Sequence, residues 1–450
     1  MSNITPFIAP RILAVMVNWN GKEFLPASVS SVLNELAPIN GQLLLVDNAS
    51  SDGSVEYIKA NFPSVEILQH AENLGGAGGF SAGMRVALTR PEIEYVWLLD
   101  NDVIVEKGAL GPLIDCLDAH VSAGAVGSQI CLYHDRNTVQ EIGGEISPWL
   151  GALRQNFSCQ PRVPAETNPY QVGYLAACSV LIRRSCLAQV GTFADLFVFY
   201  DDVEWGLRAK KAGWTLWAVP ASVIRHNYSE TKPIVPWREY YRKRNRLAML
   251  AVYPPKHGKQ LASLVYIVYI NYLIYLHCWL KFTPLDQVYI LARNDALKGC
   301  LGKRSSAIFE SYSIDSIKFD ALGDKVLIDV GDGAGELLKI VDLISKFNSN
   351  LQFFMPKKYA HYLRLFSRSN VRVAIDDVYS SIIIGKSYSF LSLFYAKTIY
   401  RVAGSKLEKI SVIDCMQEQV IRLAALTASC IVSPWHWFVL QFKYYGKKCL

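Results

Sequence analysis

The chain has 450 residues, 51% hydrophobic and 19% charged, and 46 Lys plus Arg against 39 Asp plus Glu leave a formal net charge of +7. That length exceeds one ordinary core and predicts two or three domains, while the hydrophobic share excludes extensive disorder. The small basic excess suits a phosphate or anionic-lipid surface and gives no sign of a nucleic-acid partner.

The first 110 residues alternate between buried strands and amphipathic helices. Ile12 to Val17 predicts a strand ending in the turn Asn18-Trp19-Asn20-Gly21. A helix is predicted from Phe24 to Leu36, with Leu25, Val29, Val32 and Leu36 on one face. Further strands are predicted at Leu43–Val46, Val65–Leu68 and Tyr95–Leu99, the first followed by the turn 47–53 and a helix through Ile58. Such alternation predicts a mainly parallel sheet that binds ligands at its strand C-termini, which puts Asn18, Asp47 and Asp100 on one rim.

Between Gly111 and Pro169 the pattern weakens, and shorter strands and loops are expected. Val172 to Arg183 reads as a strand pair, Phe193 to Ala212 as an acidic turn and helix, and Thr215 to Arg225 as a strand. A basic helix starts at Pro236, and Pro254-Pro255 marks a domain boundary. Leu261 to Leu280 has no formally charged side chain and the length of a membrane span. Asn271, His277 and Tyr266, Tyr269, Tyr272 and Tyr275 equally suit an interfacial or packed helix. Beyond residue 305 a second α/β unit is expected, with strands at Lys325–Val330, Leu351–Phe354 and Val371–Ile375 and a helix at Glu336–Phe347. The glycines of residues 331–335 read as a bare turn between strand and helix, with a phosphate loop as the less common alternative. The aromatic and lysine residues from Trp435 to Lys448 have the chemistry of a membrane-surface anchor or of buried packing. Ten cysteines without CxxC pairs, and an N-terminus from Met1 to Pro10 without a signal-peptide plan, predict a reducing cytoplasmic setting.

Five features carry chemistry. In Leu98-Leu99-Asp100-Asn101-Asp102 a buried strand ends in two carboxylates one residue apart, a natural partner for a divalent cation that carries a diphosphate. The run Asn73 to Phe80 holds Gly75, Gly76, Gly78 and Gly79, and is expected as an ordered loop that lets backbone approach a bulky ligand, with a helix from Ser81. Asp201, Asp202 and Glu204 start a helix, where they serve either as a charge cap or as a general base for an acceptor hydroxyl. His226 ends a strand on the same rim and is a candidate metal ligand beside the carboxylates, which suits Mn2+ or Mg2+. Arg238, Arg242 and Arg246 share a helix face; with Arg244 they offer guanidinium groups to the phosphates of a donor or of a lipid-linked acceptor.

Taken together, Val17 to Gly21, Val46 to Ser50, Asn73 to Phe80, Asp100-Asn101-Asp102, Asp201 to Glu204, His226 and Arg244-Asn245 resemble the family 2 glycosyltransferases with a GT-A fold. Within that family the galactofuranosyltransferases and their rhamnosyltransferase relatives are the most similar. The resemblance covers about residues 10 to 250. It implies a Rossmann-like α/β catalytic domain over 1–253, with a hydrophobic helical segment over 254–304 and a C-terminal α/β domain over 305–450 left outside the family pattern.

It implies an inverting transfer from a nucleotide sugar, with Asp102 and His226 holding the metal and Asp100 as the other member of the D-x-D pair. Asp202 would be the base beside Asp201, and Asp47 would contact the nucleotide base near Asn18. Asn73, the four glycines and Asn101 would line the donor. The expected donor is UDP-galactofuranose and the expected acceptor a lipid-linked glycan of an O-antigen, capsule or galactan. Such an enzyme would work on the cytoplasmic face of the plasma membrane through peripheral contact. The competing readings are a dTDP-rhamnose donor and a non-catalytic GT-A scaffold.

Overall fold

A computed structural model describes residues 11–147, 150–227, 235–253, 261–280, 285–305 and 309, six strands between 325 and 410, and a helical stretch over 424–437. In chain order the first part runs β1 (Ile12–Asn18), α1 (Leu25–Leu36), β2 (Gln42–Asp47), α2 (Ser54–Asn61), β3 (Glu66–Gln69), α3 (Gly75–Thr89) and β4 (Tyr95–Asp100). The predicted strands of this stretch and α1 are present within one residue at each end, since buried apolar runs and a clean helical face leave few alternatives. By contrast, α2 runs three residues beyond the expected Ile58, and α3 begins six residues before the expected Ser81.

The chain continues through β5 (Val103–Val105), α4 (Leu110–Ala119), β6 (Ala123–Leu132), β7 (Val139–Glu141), β8 (Gly144–Ile146), β9 (Leu153–Gln155), β10 (Tyr170–Gln171) and β11 (Ser179–Arg183). Here the structure differs from the expected loops. Leu110, Leu113, Cys116 and Leu117 give α4 a buried face. The β6 strand is rich in Ala, Gly and Ser, so its sequence hides a ten-residue, almost wholly buried strand. Then follow α5 (Arg184–Val190), α6 (Asp201–Lys211), β12 (Thr215–His226), α7 (Pro236–Val252), α8 (Leu261–Leu280) and α9 (Leu285–Lys298).

The main sheet has the order β10-β12-β6-β11-β4-β1-β2-β3, with β5 on β12 and β7 on β6. Strands β3, β2, β1 and β4 are parallel, β11 is antiparallel to both β4 and β6, and β12 is parallel to β6. The C-terminal ends of β1, β2, β4 and β12 therefore share one edge. Register is specific there: Asn18 lies beside Asp47, and Val17 beside Asp100. Apolar layers cover both faces, with Met16, Trp97 and Leu99 on one side and Leu13, Val15 and Leu98 on the other, all fully buried. Each such side chain contributes about 1.5–3 kcal/mol of burial.

The glycine run is not a loop. Its residues open α3, even though glycine lowers helix stability by about 1 kcal/mol per residue. The compensation is close packing: Gly79 and Gly83, one turn apart, face the side chains of Val17 and Val15, where an added Cβ would collide. Gly83→Ala is expected to destabilise the protein by about 1–3 kcal/mol through overpacking against a β-branched strand residue, read as a lower midpoint in denaturant. An unchanged or raised midpoint would show that helix propensity outweighs this contact.

Helices α7, α8 and α9 form one apolar cluster with Tyr174, Leu196 and Tyr200, in which Tyr266, Ile267 and Ile270 of α8 are fully buried. Among the described residues no helix is long and apolar enough to cross a membrane. A second sheet joins β13 (Lys325–Asp329), β14 (Gln352–Met355), β15 (Val371–Val373), β16 (Tyr379–Ile384), β17 (Ala396–Ala403) and β18 (Lys406–Ile410), parallel except for the β17–β18 hairpin. The expected signal-free N-terminus, Pro254-Pro255 boundary, 331–335 turn, 336–347 helix and 438–448 tail lie outside the described residues.

Candidate active site

The parallel arrangement delivers polar side chains to one sheet edge, and three groups assemble there. The first spans β1 and β2. Asn18 donates its side-chain amide to Asp47 Oδ1 at 2.9 Å and to Ser50 Oγ at 3.1 Å, and the Ser50 backbone amide donates to Asp47 Oδ2 at 2.9 Å. Both Asn18 and Asp47 are fully buried, so this pair fixes the floor of the cleft. His70, just beyond β3, donates its backbone N–H to the Asp47 carbonyl at 2.8 Å. Its ring Nε2 is buried without a hydrogen-bond partner among the described residues, and burial followed by the charge of Arg85 lowers its pKa. A lone histidine after a four-residue strand gave no sequence signal.

The second group is carboxylate and imidazole. Strand β5 runs antiparallel to β12 with Val103 opposite His226, which brings Asp102 to the histidine. His226 Nε2 lies 3.3 Å from Asp102 Oδ1 and 3.9 Å from Asp100 Oδ2. One ligand atom from each of the three falls within 4.8 Å of the others, a spread that a single cation spans. Partial burial and the charge of Asp102 push the Asp100 carboxyl up to about 6, with His226 opposing. Burial lowers the His226 pKa, but the Asp102 and Asp100 carboxylates more than offset this and raise it overall. Two carboxylates and an imidazole at this spacing fit a Mn2+ or Mg2+ ion, whose charge would relieve the crowding of like charges.

A partner the sequence did not reveal orients the histidine. Gln140 Oε1 lies 2.9 Å from His226 Nδ1, while Gln140 Nε2 donates to Glu141 Oε1 at 3.4 Å. Glu141 is buried and also accepts from Gln155 Nε2 at 3.1 Å and from Tyr174 Oη at 3.0 Å. These donors turn the Gln140 oxygen toward Nδ1 and leave Nε2 on the side of the ring that faces the two aspartates. Residues 139–141 fall where the sequence pattern was weakest, and adjacent Gln and Glu carry no motif.

Asn101, between the two aspartates, donates its amide to Asn18 Oδ1 at 2.7 Å. It thus ties the end of β4 to the floor, and a Cβ at Gly21 would collide with it.

The third group is the start of α6. Asp202 Oδ2 accepts the Ala177 amide at 3.1 Å and Oδ1 accepts the Val203 amide at 2.7 Å. Burial raises its pKa, and these backbone donors oppose that. Burial and the adjacent Asp202 charge raise Asp201 further. Just ahead of the pair, Phe197, Phe199 and Tyr200 adopt φ of 67°, 64° and 67°, left-handed values that cost a non-glycine residue about 1–3 kcal/mol each.

Other predicted site residues fall elsewhere. Asn73 Oδ1 accepts the Gly75 amide at 2.7 Å and so closes the start of α3. Gly75, at φ 71°, sits against the Phe197 carbonyl; Gly78 abuts Leu74, and Gly79 abuts Val17 and Asn48. Their expected approach to a ligand is thus corrected to protein packing. Gly76 alone of the four opens toward Asp201, whose Oδ2 lies 4.0 Å from where a Cβ would be.

Arg244 is also corrected. It is fully buried and donates to the carbonyls of Gly302 at 2.7 Å and Leu196 at 3.0 Å and to Asn245 Oδ1 at 2.8 Å, so its guanidinium is committed inside the protein. Arg246 stacks 4.4 Å over Tyr266 and donates to the Leu150 carbonyl. Arg242, about half exposed, lies 4.8 Å over the Phe199 ring and is ion-paired with Glu239 at 3.8 Å.

Residues 13–188 match the family described as Glycosyl transferase family 2. An N-acetylglucosaminyl-diphospho-decaprenol L-rhamnosyltransferase of Mycobacterium tuberculosis is 28% identical over 211 residues, 41% of this chain and 66% of that protein. A galactofuranosyltransferase GlfT2 of Mycolicibacterium smegmatis is 24% identical over 202 residues, 41% of this chain and 31% of that protein. Among solved structures, GalNAc-T7 with UDP, GalNAc and Mn2+ aligns with a TM-score of 0.44 and 17% identity over 65% of this chain and 55% of that one. The chain thus spans under two thirds of the first of these relatives and about a third of the second.

Proposed function

We propose that this chain, which belongs to the family 2 glycosyltransferases through a GT-A domain that includes residues 13–188, transfers galactofuranose from UDP-galactofuranose to a lipid-linked glycan with inversion. The observation that carries the reading is one sheet edge that holds a buried Asn18–Asp47 floor, the Asp100–Asp102–His226 trio and the Asp202 carboxylate. Floor, cation site and base are the three parts a direct displacement at a sugar carbon needs.

In that reaction Asp202 takes the proton of an acceptor hydroxyl while the oxygen forms its bond to the anomeric carbon. The bond from that carbon to the diphosphate oxygen breaks, and the nucleoside diphosphate leaves with the electron pair. Asp202 is suited to this because two backbone amides aim it, while burial keeps its affinity for a proton above that of a free carboxylate. Nearby negative charge also favours the oxocarbenium character of the transition state. A divalent cation held by Asp100, Asp102 and His226 would neutralise charge on the departing diphosphate. Asp47 and Asn18 act from beneath, by fixing the ends of β1 and β2 on which the nucleotide would rest.

The tandem Asp201–Asp202 favours the galactofuranosyl donor; the glycines, turned to packing, no longer bear on it. The acceptor reading draws support from the diphospho-decaprenol in the rhamnosyltransferase relative's name. Peripheral work at the inner face of the plasma membrane follows from such an acceptor. The same name favours a second donor, dTDP-rhamnose.

Full-length protein with Mn2+ and a synthetic prenyl-diphosphate-linked glycan should show a kcat/KM at least about tenfold higher for UDP-galactofuranose than for dTDP-rhamnose, since sites that hydrogen-bond one sugar reject another. The reverse preference would replace the donor, and no turnover of either would leave the scaffold reading.

A further inference from the structure

Asp201 and Asp202 follow a backbone segment that is unfavourable on its own, with Phe197, Phe199 and Tyr200 all in the left-handed region. Such conformations persist only where surrounding groups over-determine them. The group that does so is fully buried Asn245, on α7. Its side-chain amide donates to the carbonyls of Leu196 at 3.0 Å, Val198 at 2.8 Å and Phe199 at 2.9 Å, so two amide hydrogens serve three acceptors. Arg244 Nε donates to Asn245 Oδ1 at 2.8 Å, which sets the amide with its NH2 toward the loop. Arg244 also donates to Leu196 and, through Gly302, ties the loop to the segment after α9. From the other side Ala77 of α3 donates to the Phe197 carbonyl at 3.1 Å.

We propose that Asn245, oriented by Arg244, is a positioning residue that holds the Leu196–Tyr200 loop in its left-handed course and thereby aims Asp202 at the acceptor hydroxyl. The proposal rests on the reading of Asp202 as the base, and Asp202→Asn alone tests that reading. Asn245 touches no substrate in this account. It acts through the loop, so its influence must pass through Asp202 and must not reach the Asp100–Asp102–His226 trio, which β4, β5 and β12 hold.

The test is a double-substitution cycle on the full chain, with UDP-galactofuranose and a synthetic prenyl-diphosphate-linked glycan as substrates. Asn245→Ala should lower kcat by about 10²-fold, the scale of a misplacement near 1 Å. Donor KM and the Mn2+ dissociation constant should each stay within about threefold. In the Asp202→Asn background the same substitution should cost less than about threefold, because both changes then remove one function. Asn245→Asp, which keeps the volume and the Arg244 contact but supplies no donor, should match Asn245→Ala. Equal losses in both backgrounds, retained kcat in Asn245→Ala, or a parallel loss of Mn2+ binding would overturn the proposal. So would unfolding of both variants at the assay temperature, which would assign Asn245 to stability alone. If Asp202→Asn turns over normally, the base assignment has failed instead.

Discussion

Asp202→Asn is expected to lower transfer by about 10²- to 10⁴-fold, the usual contribution of a positioned general base. Donor binding and Mn2+ binding should be nearly unchanged. The substitution keeps the shape of the side chain and one oxygen able to accept from Ala177 or Val203, so α6 should stay in place. It removes the basicity and one of the two backbone hydrogen bonds.

The pH dependence gives a second readout. Burial raises the Asp202 pKa in the folded protein, and a base works only when deprotonated. The rate should therefore rise with pH through a limb above the ordinary carboxylate range and flatten beyond it. The Asn variant should lack that limb. Steady-state kcat/KM against pH on both proteins checks this, and a limb that persists in the variant would move the base to another carboxylate, Asp201 first.

How far the sequence reached differs from one element to the next. Strands β1, β2 and β4 are continuous apolar runs that end in Asn18, Asp47 and Asp100, so both the strands and their polar ends could be read directly. His226 could be placed because β12 ends where its apolar pattern ends. The glycine run misled, because a backbone free of Cβ atoms has two uses. It admits a ligand, or it lets a helix approach a strand, and only the positions of Val15 and Val17 across the sheet decide between them.

Arg244 misled for a related reason. An arginine-rich helix looks solvated until its partner helices are known, and here Arg244, off the face that Arg238, Arg242 and Arg246 share, is buried against α9 and the residues after it. Gln140 was invisible because its value lies in a single contact across the sheet. No local spacing encodes the 2.9 Å approach to His226.

His226→Ala and Asp102→Ala are each expected to abolish tight Mn2+ binding and lower kcat by about 10²- to 10³-fold, the scale seen when a group that stabilises transition-state charge is removed. The ends of β1 and β2, which the Asn18–Asp47 pair ties together, lie outside these substitutions and should keep their structure. UDP should thus still bind, though more weakly without a cation to neutralise its phosphates. Gln140→Leu makes the sharper test. It leaves all three ligand side chains in place but removes the acceptor that holds Nδ1–H, so Nε2 loses its fixed lone pair. Mn2+ affinity, read by the loss of free-ion EPR signal on titration, should fall by about 10- to 100-fold, the usual cost of removing a partner of a ligating histidine. Excess Mn2+ should then restore much of the activity of Gln140→Leu but not of His226→Ala. If Gln140→Leu binds Mn2+ as tightly as the parent, the histidine is oriented by Asp102 alone. If His226→Ala does so, the cation sits on the two aspartates, and His226 serves only to hold Asp102.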